Sequence, residues 1–186
     1  MNQKERQSAE TKQKFVDAAF ELFEENGYAE TSMNAIAQRA GFSRANLYLH
    51  FSKKSDIVRV RMKKIEVDIY LPFAELFAVR AHDETTVREW LEHMREMWSQ
   101  FKVEFHAMEQ AMSTDEQVAS EWLDMIRRIA RQLPGLSDDT QRYQDFIALL
   151  MGLDRNFYFL YVRNNLLHEE YVLQALTRQW LTLFRR

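Results

Sequence analysis

Only four glycines and two prolines interrupt 186 residues, and that scarcity limits the architectures open to the chain. Hairpins, sheet corners and phosphate-cradling loops draw on glycine and proline to turn the backbone sharply. A chain poor in both is expected to be all-α, with about nine helices. Its length is enough to bury a real core without staples. There are no cysteines, so composition excludes disulfides and thiolate metal sites.

Hydrophobic spacing places the helices. Phe15, Ala18, Ala19, Leu22 and Phe23 form one apolar stripe, and Gly27 follows where a left-handed cap would sit. Thr31 or Ser32 offers the next N-cap, for a short helix with Met33, Ile36, Ala37 and Ala40 inward, which Gly41 stops. Ser43 caps again only two residues later, with Leu47 and Phe51 facing inward and Ala45 small enough for close approach. Two short helices thus meet across a tight glycine turn.

From Lys53, the series Val58, Met62, Ile65, Ile69 continues as a longer helix that Pro72 is expected to end or kink. Thr86 to Glu89 reads as a capping box, opening one long helix that carries Val87, Leu91, Met94, Trp98, Phe101, Phe105 and Met108. Val118, Trp122, Met125, Ile129 and Leu133 make the next stripe, broken at Pro134-Gly135. A helix from about Asp138 is apolar nearly all round between Phe146 and Tyr161, so part of that surface should meet another chain. Asn164-Asn165 interrupts it, before a last helix with Val172, Leu173, Leu176, Trp180, Leu183 and Phe184.

The net charge of −3 conceals an asymmetry. Residues 1–64 carry 12 Lys or Arg against 8 Asp or Glu, and the remainder 13 against 20. The first part is basic by 4 and the second acidic by 7, so the two are expected to face different partners. The opening segment lacks the apolar run of a secretory signal. The longest uncharged apolar run, Phe146 to Leu153, is far shorter than a bilayer span. A soluble, cytoplasmic protein with no membrane partner is expected.

The tight turn leaves Arg44, Ala45 and Asn46 in the first turn of the second short helix, on the side away from Leu47. In a helix-turn-helix that turn enters the major groove, where Arg bonds guanine and Asn bonds adenine. Tyr48, His50, Lys53 and Lys54 flank it with donors suited to phosphates.

Residues 11 to 58 closely resemble the TetR family of transcriptional repressors. The matching set is Phe15, Ala18, Ala19, Leu22, Phe23, Gly27, Tyr28, Thr31, Ile36, Ala37, Ala40, Gly41, Ser43, Leu47, Tyr48, His50, Phe51 and Lys54. One departure is Ser55, where the family usually has an acidic residue.

The resemblance implies a three-helix helix-turn-helix domain over residues 1–54. A helical regulatory domain over 55–186 would hold a small effector and form a homodimer through the last two helices. It further implies that Thr31, Tyr48 and Lys54 contact phosphate, with Ser43, Arg44, Ala45, Asn46 and His50 on or beside the base-reading surface. The DNA partner would be a roughly palindromic double-stranded operator, from which the effector releases a repressor.

In the second part, Trp90, Met94, Trp98, Phe101, Phe105, Trp122, Met125 and Phe157 are candidates to line a cavity for an apolar or aromatic effector, with core packing as the ordinary alternative for each. His106 and Asp154 are candidate polar groups there. The histidines at 50, 82, 93, 106 and 168 show no metal-binding spacing, and no nucleophile elbow or phosphate loop is present. No cofactor, metal site or enzymatic activity is expected. The competing expectation is a helical protein-interaction module without specific DNA binding.

Overall fold

The fold is seen in a computed structural model that describes residues 2–163 and 168–185. The predicted interruption at Asn164-Asn165 lies outside these residues. The described residues form nine α-helices and one π-helical turn, with no strand. The helices are α1 (Gln3–Asn26), α2 (Met33–Arg39), α3 (Arg44–His50), α4 (Lys54–Ala78), α5 (Glu84–Gln100), α6 (Lys102–Met112), α7 (Glu116–Gln132), α8 (Thr140–Phe157) and α9 (Glu169–Leu181), and the π turn covers Tyr158–Val162. The fold is all-α, as the shortage of glycine and proline predicts.

Two compact units share the chain. One comprises residues 1–64 with 106–121, the other 65–105 with 122–186, so α4, α6 and α7 each supply residues to both. In the first unit, Phe15, Ala19, Ile36, Leu47, Ile57 and Val58 are fully enclosed. Burying each of the larger ones is worth about 1.5–3 kcal/mol. The core of the second unit is aromatic. The Phe73 ring lies 5.6 Å from Trp90 and from Phe146, and the Trp90 and Trp180 rings are 4.6 Å apart. All three pairs are tilted or edge-on, the arrangements that ring quadrupoles favour.

Local chemistry sets most boundaries. Asn2 and Glu5 form a reciprocal capping box that opens α1. Gly27 ends α1 at φ +83°, as its position predicts, but with ψ 158° the backbone is extended rather than left-handed helical. Its N–H still reaches the Phe23 carbonyl at 2.9 Å. Of the two candidate caps for α2, Ser32 is the one that accepts from Ala35 N, at 3.1 Å.

Three elements differ from the sequence-based expectation. First, α4 runs through Pro72 to Ala78. A proline inside a helix costs about 3 kcal/mol, but Phe73 and Leu76 just beyond it are 0% and 2% exposed. Their burial outweighs the lost hydrogen bond.

Second, α5 starts before the expected capping box. Asp83 accepts from Thr86 N at 2.8 Å and from its hydroxyl at 2.9 Å, and these bonds hold the Asp83 carboxyl below its ordinary pKa. An ionised acceptor is the stronger cap.

Third, the long helix expected from Val87 to Met108 is two helices, because Phe101 leaves helical geometry at φ −102°, ψ 24°. The apolar surface all round the helix after Asp138 also has a partly local cause. The π turn shifts register, so Tyr158 and Leu160 both turn inward alongside Phe157. Met151 and Phe159 stay exposed.

Candidate nucleic-acid interface

The corner between α2 and α3 is closed by backbone hydrogen bonds. Gly41, at φ +77°, donates to Gln38 O at 3.0 Å while Phe42 N donates to Ala37 O at 2.9 Å. This paired pattern at a helix end requires a residue at ease with positive φ. Ser43 then caps α3 by accepting from Asn46 N at 3.1 Å. With Leu47 and Phe51 locked inward at 0% and 2% exposure, helical geometry dictates which side chains of α3 face out.

Arg44, Ala45, Tyr48 and Leu49 are exposed, and Asn46 and His50 are half-buried. Ala45 is therefore on the outer surface rather than at a close helix contact. The Arg44 guanidinium lies 5.3 Å from the Tyr48 ring centre, with one nitrogen 3.5 Å from the Tyr48 hydroxyl. That cation–π contact holds the arginine along the helix. His50 is steadied by Phe15, at a ring separation of 5.7 Å. The Asn46 side-chain oxygen is buried and accepts no hydrogen bond from the described residues.

Leu49 is absent from the residues that the sequence pattern singles out on α3. At 82% it is among the most exposed large apolar side chains described. The signal was present: position 49 is 200° round the helix from Leu47.

Thr31 and Lys54 are placed differently from the residues of α3. The Thr31 side chain is buried, and its hydroxyl faces the carbonyls of Gly27 at 2.8 Å and Leu22 at 3.2 Å. The Lys54 ammonium donates to the carbonyls of Tyr28 and of Ala29, the latter at 3.1 Å, and lies 4.4 Å from the Tyr28 ring centre. Partial burial lowers its pKa. Both side chains hold the turn between α1 and α2.

The Ser55 departure also has a structural counterpart. Asp56 caps the start of α4 by accepting from Ser52 N at 3.0 Å and Lys53 N at 3.2 Å. The buried Ser55 hydroxyl donates to the carboxylate of Asp115, which lies in the turn between α6 and α7. Lys53 Nζ reaches that same carboxylate at 2.7 Å. Hydrogen bonding from Lys53 and then Ser55 holds the Asp115 carboxyl down at about 2. Position 55 thus meets a carboxylate contributed from 60 residues away in the chain.

In the second unit, Met94, Trp98, Phe105, Trp122 and Met125 line one cavity together with Phe73, Met97 and Asp154. The cavity is small, with about 30 Å³ open to a water-sized molecule. Trp90 and Phe157, by contrast, are packed elsewhere. Trp90 belongs to the aromatic core, and Phe157 is fully buried with its ring 6.1 Å from Trp98 and 5.1 Å from Tyr161. Phe101 is also outside the lining, its ring 6.5 Å from Phe105. His106 falls in the first unit, with its Nε2 3.1 Å from the Gln110 amide nitrogen. Among the described residues, no group of three or more His, Asp or Glu is placed to hold a metal ion.

A capped helix-turn-helix with an exposed polar second helix, joined to a cavity-bearing helical unit, defines a class of DNA-binding protein. Residues 15–60 match the family model described as bacterial regulatory proteins, tetR family. Over 58 residues the chain is 43% identical to the HTH-type transcriptional regulator AcrR of Shigella flexneri, covering 31% of this chain and 27% of that one. It therefore spans only about a quarter of that relative's length.

The whole-chain fold is similar to that of a TetR-family transcriptional regulator from Mesorhizobium loti, with a TM-score of 0.67 at 16% identity, covering 95% of this chain and 96% of the other. It is also similar to the multidrug binding protein EbrR in complex with imidazole, with a TM-score of 0.62 at 19% identity, covering 90% and 93%. The match to the tetR family model is confined to residues 15–60, and over the rest of the chain the likeness to solved TetR-family structures is one of fold.

Proposed function

We propose that this protein is a sequence-specific transcriptional regulator of the repressor type, acting as a cytoplasmic homodimer on a roughly palindromic operator and released by a small effector. Residues 1–54 would serve as the DNA-binding domain and 55–186 as the regulatory domain. The observation that carries this reading is the outer face of α3. Arg44, Ala45, Tyr48 and Leu49 stand exposed on a helix fixed at both ends by Ser43 and Phe51. Arg44 and Asn46 are the base-reading pair, and Leu49 offers apolar contact to a thymine methyl. Tyr48, with Ser43 and His50 beside it, supplies donors to phosphate and sets the docking register.

Thr31 and Lys54 support the interface by holding the turn beside it, and Lys54 reaches phosphate only by leaving the carbonyls of Tyr28 and Ala29. Met151 and Phe159, with Tyr171 of α9 at 70% exposure, supply apolar surface for pairing two copies through the last helices. The cavity around Trp98 and Trp122 is the effector site. Effector binding weakens operator affinity only by its differential affinity for the two conformations, and about 2–3 kcal/mol of coupling releases most of the protein.

The test is selection of bound fragments from random duplexes, followed by a salt titration of the selected site against mixed DNA. A regulator shows a selected consensus and a steep negative salt slope. An interaction module without DNA specificity shows no consensus and equal, weak affinity for both.

A further inference from the structure

We propose that Lys12 and Lys14 of α1 are phosphate contacts of the DNA interface, one at each end of α3; this rests on the assignment of α3 as the DNA-reading helix. Residues 1–64 carry 12 Lys or Arg, but several are neutralised within their own unit. Arg39 pairs with Glu21 and Glu25, Lys53 with Asp115, and Arg59 and Lys63 with Glu121. A cation already paired must give up its carboxylate before it serves a phosphate. Lys12 and Lys14 make no ion pair among the described residues. Even Asp17, three residues beyond Lys14, is taken by Gln13 Nε2 at 2.6 Å.

Both ammonium groups are held by rings instead. Lys12 Nζ lies 5.4 Å from the centre of the Phe51 ring, and Lys14 Nζ lies 5.8 Å from that of Phe42. Such a contact positions a cation by its attraction to the π face, and because the ring bears no charge, the ammonium keeps its own. Phe42 directly precedes Ser43, the N-cap of α3, and Phe51 is its C-cap. The two lysines therefore bracket the helix. Phe15, next in the chain, packs against Phe42 and His50 at ring separations of 5.1 and 5.7 Å, which fixes this stretch of α1 beside both ends of α3.

Seven residues of helix span about 10 Å, close to the roughly 12 Å width of the major groove. With α3 in the groove, cations at its two ends meet the two phosphate strands that wall it. Neither lysine reads a base. Their charge displaces condensed counterions, which contributes affinity on every sequence alike and sets how α3 is seated.

The experiment follows the fluorescence anisotropy of two labelled duplexes, the selected operator and one of mixed sequence, with the full chain in about 50 to 300 mM NaCl. Each phosphate contact contributes about 0.9 to the slope of log K against log salt concentration. Lys12→Gln and Lys14→Gln should each make that slope shallower by about 1 for every copy bound. Both duplexes should weaken by the same factor, with circular dichroism unchanged. Lys12→Arg and Lys14→Arg should restore the slope. Lys63→Gln, which removes a lysine paired with Glu121 at 3.4 Å, should keep the wild-type slope.

A steep wild-type slope that both folded glutamine variants retain overturns the assignment and leaves α3 as the reading helix. A slope that falls as far in Lys63→Gln does the same, since net charge then accounts for it, and so does a loss confined to the operator. A wild type that selects no sequence and shows no steep slope removes the DNA-binding reading itself, and this proposal with it.

Discussion

Replacing Asp115 by Asn isolates the charge that ties the start of α4 to the turn between α6 and α7. The Asp115 side chain is 10% exposed and Ser55 is 4% exposed, whereas Lys53 is half-exposed. The ion pair with Lys53 is therefore worth only about 0.2–1 kcal/mol. The Ser55 hydroxyl bonded to a carboxylate contributes about 1.5–3 kcal/mol, of which the Asn carbonyl keeps roughly the 1 kcal/mol of a neutral bond. Together these give a loss of about 0.7–3 kcal/mol at pH 7, a fall in Tm of roughly 1–12 °C for a chain of this size.

The pH dependence has a definite sign. The folded pKa of about 2 lies below the ordinary 3.8, so the stabilisation is fully present above pH 3.8 and is lost as pH falls through about 2. Urea denaturation followed by circular dichroism, at fixed protein concentration, should show the wild type well ahead of the variant at pH 7. The gap should have narrowed at pH 2.5. A gap of the same size at both pH values, or less than about 0.3 kcal/mol at pH 7, would refute the argument.

Arg44→Ala should cost on the order of 1–3 kcal/mol on the selected operator and much less on random duplex, relaxing preference at one base pair; equal losses on both in a gel-shift titration would remove Arg44 from base reading. Leu47→Ala should destabilise the fold by about 2–5 kcal/mol, while Leu49→Ala, two residues on, should stay within about 0.5 kcal/mol; comparable urea midpoints for the two would contradict the assigned faces of α3. Phe159→Asp is expected to shift sedimentation toward monomer without changing the circular dichroism spectrum, and an unaltered dimer boundary would exclude that face from the interface. A charge at Phe157 tests folding instead, because that ring is fully buried.

What could be read from the chain was what its local chemistry decides. Gly41, Ser43, Leu47 and Phe51 lie within eleven residues, and each acts on its own turn of helix, so the corner and the inward face of α3 follow from spacing. Pro72 misleads for the opposite reason. The helix survives it because Phe73 packs against Trp90, Phe146 and Trp180, residues that no local window contains. The break at Phe101 and the π turn at Tyr158 are likewise set by packing rather than by a turn residue.

The cavity stood between these cases. Residue type singles out Met94, Trp98, Phe105, Trp122 and Met125, but Trp90, Phe101 and Phe157 carry the same chemistry and pack elsewhere. Hydrophobic spacing identifies residues that face inward. It does not say whether the inside at that point is filled.

The contact between Ser55 and Asp115 bears on how such a sequence can change over time. The two positions share a single negative charge, and 60 residues separate them. A mutation introducing an acid at 55 while Asp115 remains would set two carboxylates against each other, and losing Asp115 first would leave a buried hydroxyl without its acceptor. Neither step is neutral alone, so exchange between the two arrangements should pass through an intermediate with a small or uncharged residue at one site. Lineages carrying an acid at 55 are accordingly expected to lack one at 115, a correlation that would tie the start of α4 to a turn in the second half of the chain.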